Sequence, residues 1–342
     1  MRKPVILVTG ANGEVGHALI SSLAEKENVN ILGLDIHPFD PSVSQNLLEG
    51  IQGSVLDTNL LERIRTEYEI SEVYHLAAIL STRAEFSPLS AHDVNVGGTL
   101  NLLRLALDEA TSQEKTVKFF FPSSIAVYGV GGFEHKSRVG KITEDEYRCP
   151  ETIYGCTKLY CECLGLYFSR HYRRLEAGSA AGRIDFRAIR FPGLISATTH
   201  PSGGTSDFGP EMLHAAARNK PYACFVREDT TMPFMTMIDA IRAIRLLMSA
   251  PAGVLTRQVY HITAFSPSAG AFREKILSYF PGATIDFVIN DERQSIVDSW
   301  PGDLDDTAAR RDWGWKPEFD FDGAFENYLI PEIRKRYGLK IP

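Results

Sequence analysis

The stretch Val5-Ile6-Leu7-Val8-Thr9-Gly10-Ala11-Asn12-Gly13-Glu14-Val15-Gly16 constrains this chain more than any other. Its unbroken apolar start reads as a parallel strand covered on both faces. Three glycines spaced Gly10-x-x-Gly13-x-x-Gly16 follow, and a helical run continues through His17, Leu19, Ile20 and Leu23. A strand, a bare glycine turn and a helix N-terminus make a phosphate site. The backbone can approach a pyrophosphate there, and the first helical N–H groups point at it. Nineteen residues beyond Gly16, a second strand (Ile31-Leu32-Gly33-Leu34) ends in Asp35. A carboxylate at that point accepts from both ribose hydroxyls and repels a 2′-phosphate, so the spacing points to NAD rather than NADP. The expected fold is α/β, a Rossmann-type doubly wound parallel sheet with a smaller C-terminal α/β substrate lobe.

Composition sets the outer bounds. The 342 residues, 44% of them hydrophobic, suffice for one large α/β core and a smaller appended unit. A net charge of -7 without a basic block argues against a nucleic-acid partner. No apolar run reaches membrane length, and the first strand starts directly after Met1-Arg2-Lys3-Pro4. Neither a membrane span nor a leader is therefore expected, and the expected location is the cytoplasm. Cys149, Cys156, Cys161, Cys163 and Cys224 form no paired ligand spacing. Cys161 and Cys163, two apart on a helix, point to different sides, so the thiols read as reduced and no metal is expected.

The expected division places an NAD-binding domain with its catalytic helix at 1–175, its sheet continued by 184–192 and 234–262. The segments 193–233 and 263–342 make the substrate lobe. Asp57 reads as a helix N-cap, with contact to adenine as the other reading. The strand Val73-Tyr74-His75-Leu76-Ala77-Ala78 ends in small residues, which suits backbone at Leu76, Ala77 and Ala78 passing under the cofactor's ribose and phosphates. His75, inside that strand, reads as structural. The segment 79–90 is expected to be a loop on the ligand edge, carrying Ser81, Thr82, Arg83 and Glu85. Asn95, beside Gly97 and Gly98 in a helix reaching about residue 110, suggests a hydrogen-bonding task. A strand over 117–121 ends in Pro122-Ser123-Ser124, again at the ligand edge. The segment 129–150 reads as a charged, glycine-rich, lid-like loop. Pro192-Gly193 is expected to turn sharply, and 200–208 to form a flexible loop.

Tyr154 and Lys158, four apart on a helix expected over 152–173, share one face. Ser124 lies thirty residues before Tyr154, at a strand end. Beside a nicotinamide these three make chemical sense. The lysine ammonium and the positive ring favour tyrosinate, lowering the phenol from its ordinary value near ~10. Tyrosinate then takes the proton of an alcohol while hydride leaves the carbon for NAD, and the serine hydroxyl holds the substrate oxygen.

Thr9-Gly10-Ala11-Asn12-Gly13-Glu14-Val15-Gly16, His75-Leu76-Ala77-Ala78, Asn95-Val96-Gly97-Gly98-Thr99, Ser123-Ser124-Ile125-Ala126-Val127-Tyr128-Gly129, Tyr154-Gly155-Cys156-Thr157-Lys158 and Arg190-Phe191-Pro192-Gly193 resemble the extended short-chain dehydrogenase/reductase superfamily. That resemblance implies catalytic roles for Ser124, Tyr154 and Lys158, a backbone-supporting role for Asn95, and a nicotinamide border at Phe191 and Pro192. The expected cofactor set is Gly10, Asn12, Gly13, Glu14, Val15, Gly16, Asp35, Asp57, Leu76, Ala77, Ala78, Asn95, Ser123, Tyr154, Lys158, Phe191 and Pro192. A narrower resemblance covers nearly the whole chain. Ala78-Ile79-Leu80-Ser81-Thr82-Arg83-Ala84-Glu85, Phe191-Pro192-Gly193-Leu194-Ile195-Ser196, Gly203-Gly204-Thr205-Ser206-Asp207, Pro221-Tyr222-Ala223-Cys224-Phe225 and Asp298-Ser299-Trp300-Pro301 are similar to the short-chain family of L-threonine 3-dehydrogenases. It implies oxidation of the 3-hydroxyl of L-threonine to L-2-amino-3-oxobutanoate without zinc. It also implies a substrate pocket of Leu80, Ser81, Ser124, Tyr154, Gly193, Thr205 and Trp300.

The family pairs its Tyr-Lys helices, so a homodimer through that helix is expected, with Leu159, Cys163 and Leu166 as apolar surface. Functional coupling to a 2-amino-3-ketobutyrate CoA ligase, which would consume the product, stays open. Arg83 and Arg190 suit a substrate carboxylate, though Arg190 at a strand end also suits a structural role. The rival reading is a nucleotide-sugar epimerase or dehydratase. The loop 196–207 has no Arg or Lys for its diphosphate. A non-catalytic NAD sensor is the third reading, opposed by the intact Ser-Tyr-Lys set.

Overall fold

The computed structural model describes residues 2–25, 29–176, 183–201 and 203–340. Ser202, in the loop expected over 200–208, lies outside the described residues. In chain order the strands are β1 (Lys3–Thr9), β2 (Ile31–Asp35), β3 (Glu49–Gln52), β4 (Tyr68–His75), β5 (Val117–Ser124), β6 (Lys141–Ile142), β7 (Ile184–Phe191), β8 (Gly193–Ile195), β9 (Tyr222–Cys224), β10 (Phe234–Thr236), β11 (Val259–His261), β12 (Ile285–Phe287) and β13 (Asp303–Leu304). The chain forms two compact units. One comprises Met1–Ser123, Cys156–Arg190 and Ile244–Tyr260; the other comprises Ser124–Gly155, Phe191–Ala243 and His261–Pro342. The segment Ser124–Gly155 thus packs with the second unit, where the sequence places it with the cofactor domain.

Long apolar strands need cover on both faces, and the first unit supplies it. Seven strands lie in the order β3-β2-β1-β4-β5-β7-β11. The pairs β2–β3, β1–β2, β1–β4 and β4–β5 run parallel. Leu7, Leu32, Val73, Phe119 and Phe186 are fully buried in its core, and the rings of Phe119 and Phe186 stack at 6.0 Å. Strand order reverses between β1 and β4. Such a switch point opens a crevice at the strands' carboxyl ends, where ligands bind in open α/β sheets.

The second unit is built from small parallel pairs, β8–β10, β9–β12 and β6–β13. Its core is aromatic: Phe208 meets Phe234 at 5.5 Å, Phe234 meets Phe272 at 5.0 Å, and Phe272 meets Phe321 at 5.2 Å, all edge to face.

Several local expectations need correction. The helix that Asp57 caps spans Thr58–Glu67, and Tyr68 opens β4. The expected loop 79–90 is largely helical, with Ser81–Phe86 and then Pro88–His92, started by a proline in its first turn. The lid-like loop 129–150 holds the helix Phe133–Val139 and strand β6. Gly193 begins β8 instead of a sharp turn. β10, placed in the main sheet by the sequence, pairs with β8 in register Phe234↔Gly193. The pairing depends on the missing side chain of Gly193, since the Phe234 ring lies 2.5 Å from where a Cβ there would stand. Among the described residues, no helix is long and apolar enough to cross a membrane.

Candidate active site

The glycine turn is a bare-backbone cradle. Gly10 takes φ +66, and an added Cβ would lie 2.6 Å from the amide nitrogen of Ala77. Only glycine allows the loop after β1 to touch the segment after β4. At Gly16 an added Cβ would lie 2.5 Å from the carbonyl oxygens of both Gly10 and Ala11. No side chain caps the helix Glu14–Ala24, whose N-cap is Gly13 and whose first turn includes Glu14 and Val15. A helix start of this kind presents N–H groups and a partial positive charge to an anion.

Asp35 closes β2 and is 8% exposed. One carboxylate oxygen accepts from the Asn12 amide N–H and the other from that of His37, each at 2.9 Å. A carboxylate has about four acceptor sites, so capacity for two ribose hydroxyls remains. The Asn12 side chain accepts from the Asp40 amide at 2.9 Å and donates to the Pro38 carbonyl at 3.2 Å, fixing the loop beyond β2. Asp57 caps its helix, accepting from the Leu60 amide at 3.0 Å.

At the end of β4, Leu76 and Ala77 donate backbone N–H groups to the carbonyl and hydroxyl of Thr9. His75 bridges the hydroxyls of Thr9 at 2.8 Å and Thr99 at 3.0 Å. Burial, with the positive charge of Lys158 adding, pushes its imidazole down to about 3. A neutral ring locked between two hydroxyls is structural. Asn95, 3% exposed, lies in the π-helical turn Asp93–Gly97. It accepts from the Ile79 amide at 2.8 Å and donates to the Ile79 carbonyl at 3.1 Å and the Thr157 hydroxyl at 3.2 Å. One amide thereby ties the segment after Ala78 to the helix that carries Tyr154 and Lys158.

That helix spans Ile153–Arg170. Lys158 is 3% exposed; its ammonium donates to the Pro122 carbonyl at 2.7 Å and lies 4.6 Å from the Phe121 ring centre. Burial pushes it down to about 8, against Cys161 and Glu162, which favour its charge. Burial pushes the Tyr154 phenol above its ordinary value, the starting point from which the lowering expected beside a positive nicotinamide would act. Desolvation penalises a tyrosinate until positive charge is brought to it. Ser124 ends β5 and accepts from the Ala126 amide at 3.1 Å. Its turn meets the start of the Tyr154 helix within one unit, because an added Cβ on Gly155 would lie 1.9 Å from the Ala126 carbonyl oxygen. Ser123, in the expected cofactor set, turns its hydroxyl inward and donates it to Glu162.

The expected substrate residues are spread over both units. Leu80, 45% exposed, precedes the helix that Ser81 opens. Phe191 ends β7, Pro192 alone separates it from β8, and Gly193 is packed against the Phe234 ring. Thr205 is buried in the loop before the helix Phe208–Ala217, and Trp300 is buried at the end of the helix Asp291–Ser299. Sequence reading passed over three groups. Arg293 donates to the Gly204 carbonyl at 2.9 Å, and Arg336 donates to that of Thr198, so arginines from elsewhere do reach the 196–207 loop. Buried Lys136 donates to the Val297 carbonyl at 2.8 Å. Glu162 takes Arg190 in a two-toothed ion pair, which settles Arg190 as a structural partner. Only Glu162 carried a sequence signal: it lies one helical turn beyond Lys158.

The fold and its glycine edge define a Rossmann-class, NAD-dependent oxidoreductase. The chain belongs to the NAD dependent epimerase/dehydratase family, whose profile matches residues 6–263. It is 32% identical over 318 residues to the mitochondrial L-threonine 3-dehydrogenase of Bos taurus, covering 92% of this chain and 79% of that one. A monomeric L-threonine 3-dehydrogenase from a metagenome superposes with a TM-score of 0.83 at 36% identity, over 97% of this chain and 99% of its own. The holo form of a GalE-like L-threonine dehydrogenase from Cupriavidus necator gives 0.84 at 33% identity, over 97% and 100%.

Proposed function

We propose that this enzyme oxidises L-threonine at its 3-hydroxyl to L-2-amino-3-oxobutanoate, with Tyr154 as general base. The observation that carries the reading is the seating of Gly155 on the Ala126 carbonyl, which sets Tyr154 beside the Ser124 turn. The likeness to L-threonine dehydrogenases over nearly the full chain supports the substrate. Gly10, Gly13 and Gly16 would hold the NAD pyrophosphate, with Glu14 and Val15 in the same turn. Asp35 would hold one ribose, Asp57 and Asn12 the edge beside it, and Leu76, Ala77, Ala78, Phe191 and Pro192 the remainder. When bound, NAD supplies a hydride acceptor and a positive ring. Lys158, kept charged by Glu162, and that ring lower the Tyr154 phenol from its raised value. Tyr154 then takes the hydroxyl proton while Ser124 orients the oxygen, a contribution worth roughly two to four powers of ten. The likeness to L-threonine dehydrogenases is what proposes Leu80, Ser81, Gly193, Thr205 and Trp300 as the residues that would meet the amino acid.

The test is NADH formation at 340 nm with L-threonine, L-allo-threonine, L-serine and a UDP-sugar, in wild type and Tyr154→Phe. Reduction with L-threonine, cut about a thousandfold in the variant with NADH binding intact, is the expected result. Conversion of the UDP-sugar alone would transfer the site to the epimerase reading, which the arginines behind the 196–207 loop favour.

A homodimer through the catalytic helix belongs to the same proposal. Tyr160, Cys163 and Tyr167 form an exposed stripe on it, 52% and 44% exposed at the tyrosines, and Phe86 and Leu89 add exposed apolar surface to the unit. The monomeric metagenome relative shows the alternative, and sedimentation at micromolar concentration decides. Five free thiols suit work in the reducing cytoplasm.

A further inference from the structure

The catalytic helix carries a second buried charge that the reaction does not use. Glu162 is 2% exposed and Arg190, on β7, is also 2% exposed. The guanidinium grips the carboxylate with two N–H groups, at 2.9 and 2.7 Å, while Ser123 donates its hydroxyl to the same carboxylate. One turn earlier, Lys158 reaches the Pro122 carbonyl and the Phe121 ring. The helix therefore holds three consecutive residues at the end of β5, and Glu162 extends that hold to the end of β7.

A buried ion pair is a poor source of stability, because desolvating both ions offsets most of their attraction. Its directionality is what distinguishes it from an apolar contact: a bidentate guanidinium–carboxylate pair tolerates one geometry. The two side chains that Glu162 joins each precede a residue of the reaction, and Glu162 itself lies one turn from a third. Ser124 follows Ser123, Phe191 follows Arg190, and Lys158 lies one turn before Glu162. We propose that Glu162 is a positioning residue: through Ser123 and Arg190 it fixes the ends of β5 and β7, from which Ser124 and Phe191 follow, in register with the Lys158 turn. This rests on the reading of Ser124, Tyr154 and Lys158 as the catalytic set. Glu162 also bears on the charge of Lys158. The groups acting on that ammonium are Cys161 and Glu162 on its own helix; its charge in turn lowers His75 on β4, and Arg190 on β7 faces Glu162.

The test measures kcat and KM against pH for threonine-dependent NAD reduction, with NADH affinity read separately by fluorescence. The variants are Ser123→Ala, Glu162→Gln, Glu162→Asp and Tyr154→Phe. Glu162→Gln is expected to lower kcat about a hundredfold and to move the alkaline limb of the profile down by about one pH unit, with NADH affinity little changed. Glu162→Asp, which keeps the charge but shortens the reach, restores the limb and not kcat. Ser123→Ala, which removes one hydroxyl, lowers kcat about tenfold and decides the matter if Glu162→Gln does not fold. Wild-type kcat in Ser123→Ala, or in folded Glu162→Gln, overturns the positioning role while Tyr154→Phe remains inactive. Full turnover by Tyr154→Phe overturns the reading of the site instead.

Discussion

The cofactor edge and the second unit are built on opposite principles. At the cofactor edge, the residues that make the cradle are close in sequence: Gly10 to Gly16 lie on one turn, and Asp35 closes the next strand. In the second unit, partners lie far apart. β6 at 141 pairs with β13 at 303, β9 at 222 pairs with β12 at 285, and Lys136 reaches the Val297 carbonyl. A local motif prescribes its own geometry, whereas a remote pairing exists only once the chain has folded round to it.

The sharpest way to separate the two regions is to add one methyl group to each. Gly16→Ala forces a Cβ against two carbonyl oxygens at 2.5 Å, and Gly155→Ala forces one against a single carbonyl at 1.9 Å. Each clash is worth on the order of 2–3 kcal/mol. The first is expected to raise the KM for NAD roughly a hundredfold with kcat at saturation retained. The second is expected to lower kcat by a similar factor with NADH affinity retained. Steady-state kinetics with a fluorescence titration reads both, and identical profiles for the two variants would erase the distinction.

Next in size is Lys136, which fastens the expected lid. Burial pushes its ammonium down to about 8 from 10.5, although Asp298 opposes the shift. Between those values the unfolded chain binds more protons than the folded one, so stability rises with pH through that window and is lost as pH falls to about 8. Relative to Lys136→Met, which does not titrate, the wild type should gain on the order of 2–3 kcal/mol from pH 8 to 10.5. Denaturant unfolding at both pH values measures it; a constant difference would mean the lysine is not desolvated.

The smallest effect expected is on cofactor choice. Asp35→Ala should reduce the preference for NAD over NADP about tenfold, by removing two hydrogen bonds and one negative charge. An unaltered ratio of kcat/KM values would remove Asp35 from the ribose site and leave it as the acceptor for Asn12 and His37.

How much could be read beforehand follows the same division. The strand before Gly10, the helix after Gly16, Asp35 at the end of β2 and the Asp57 cap were all legible, because each is decided within a few residues. Asn95 was legible as a hydrogen-bonding residue, but not its partners Ile79 and Thr157. The reading of 129–150 as a loop failed because charge and glycine content say nothing about β13, which pairs with β6 from residue 303. For Tyr154 a motif names the neighbours, but not the burial that raises its phenol and that Lys158 and a bound nicotinamide would have to overcome.

By itself the sequence determined the Rossmann class, the glycine edge proposed for NAD and the helix that carries Tyr154 and Lys158. Those are consequences of periodicity and steric permission, which act along the chain. The tertiary structure alone decided that β10 leaves the main sheet to pair with β8, that Ser123 and Arg190 converge on Glu162, and that Lys136 is buried. Burial and charge pairing depend on groups brought together through space, and desolvation has no value until the fold has removed the water.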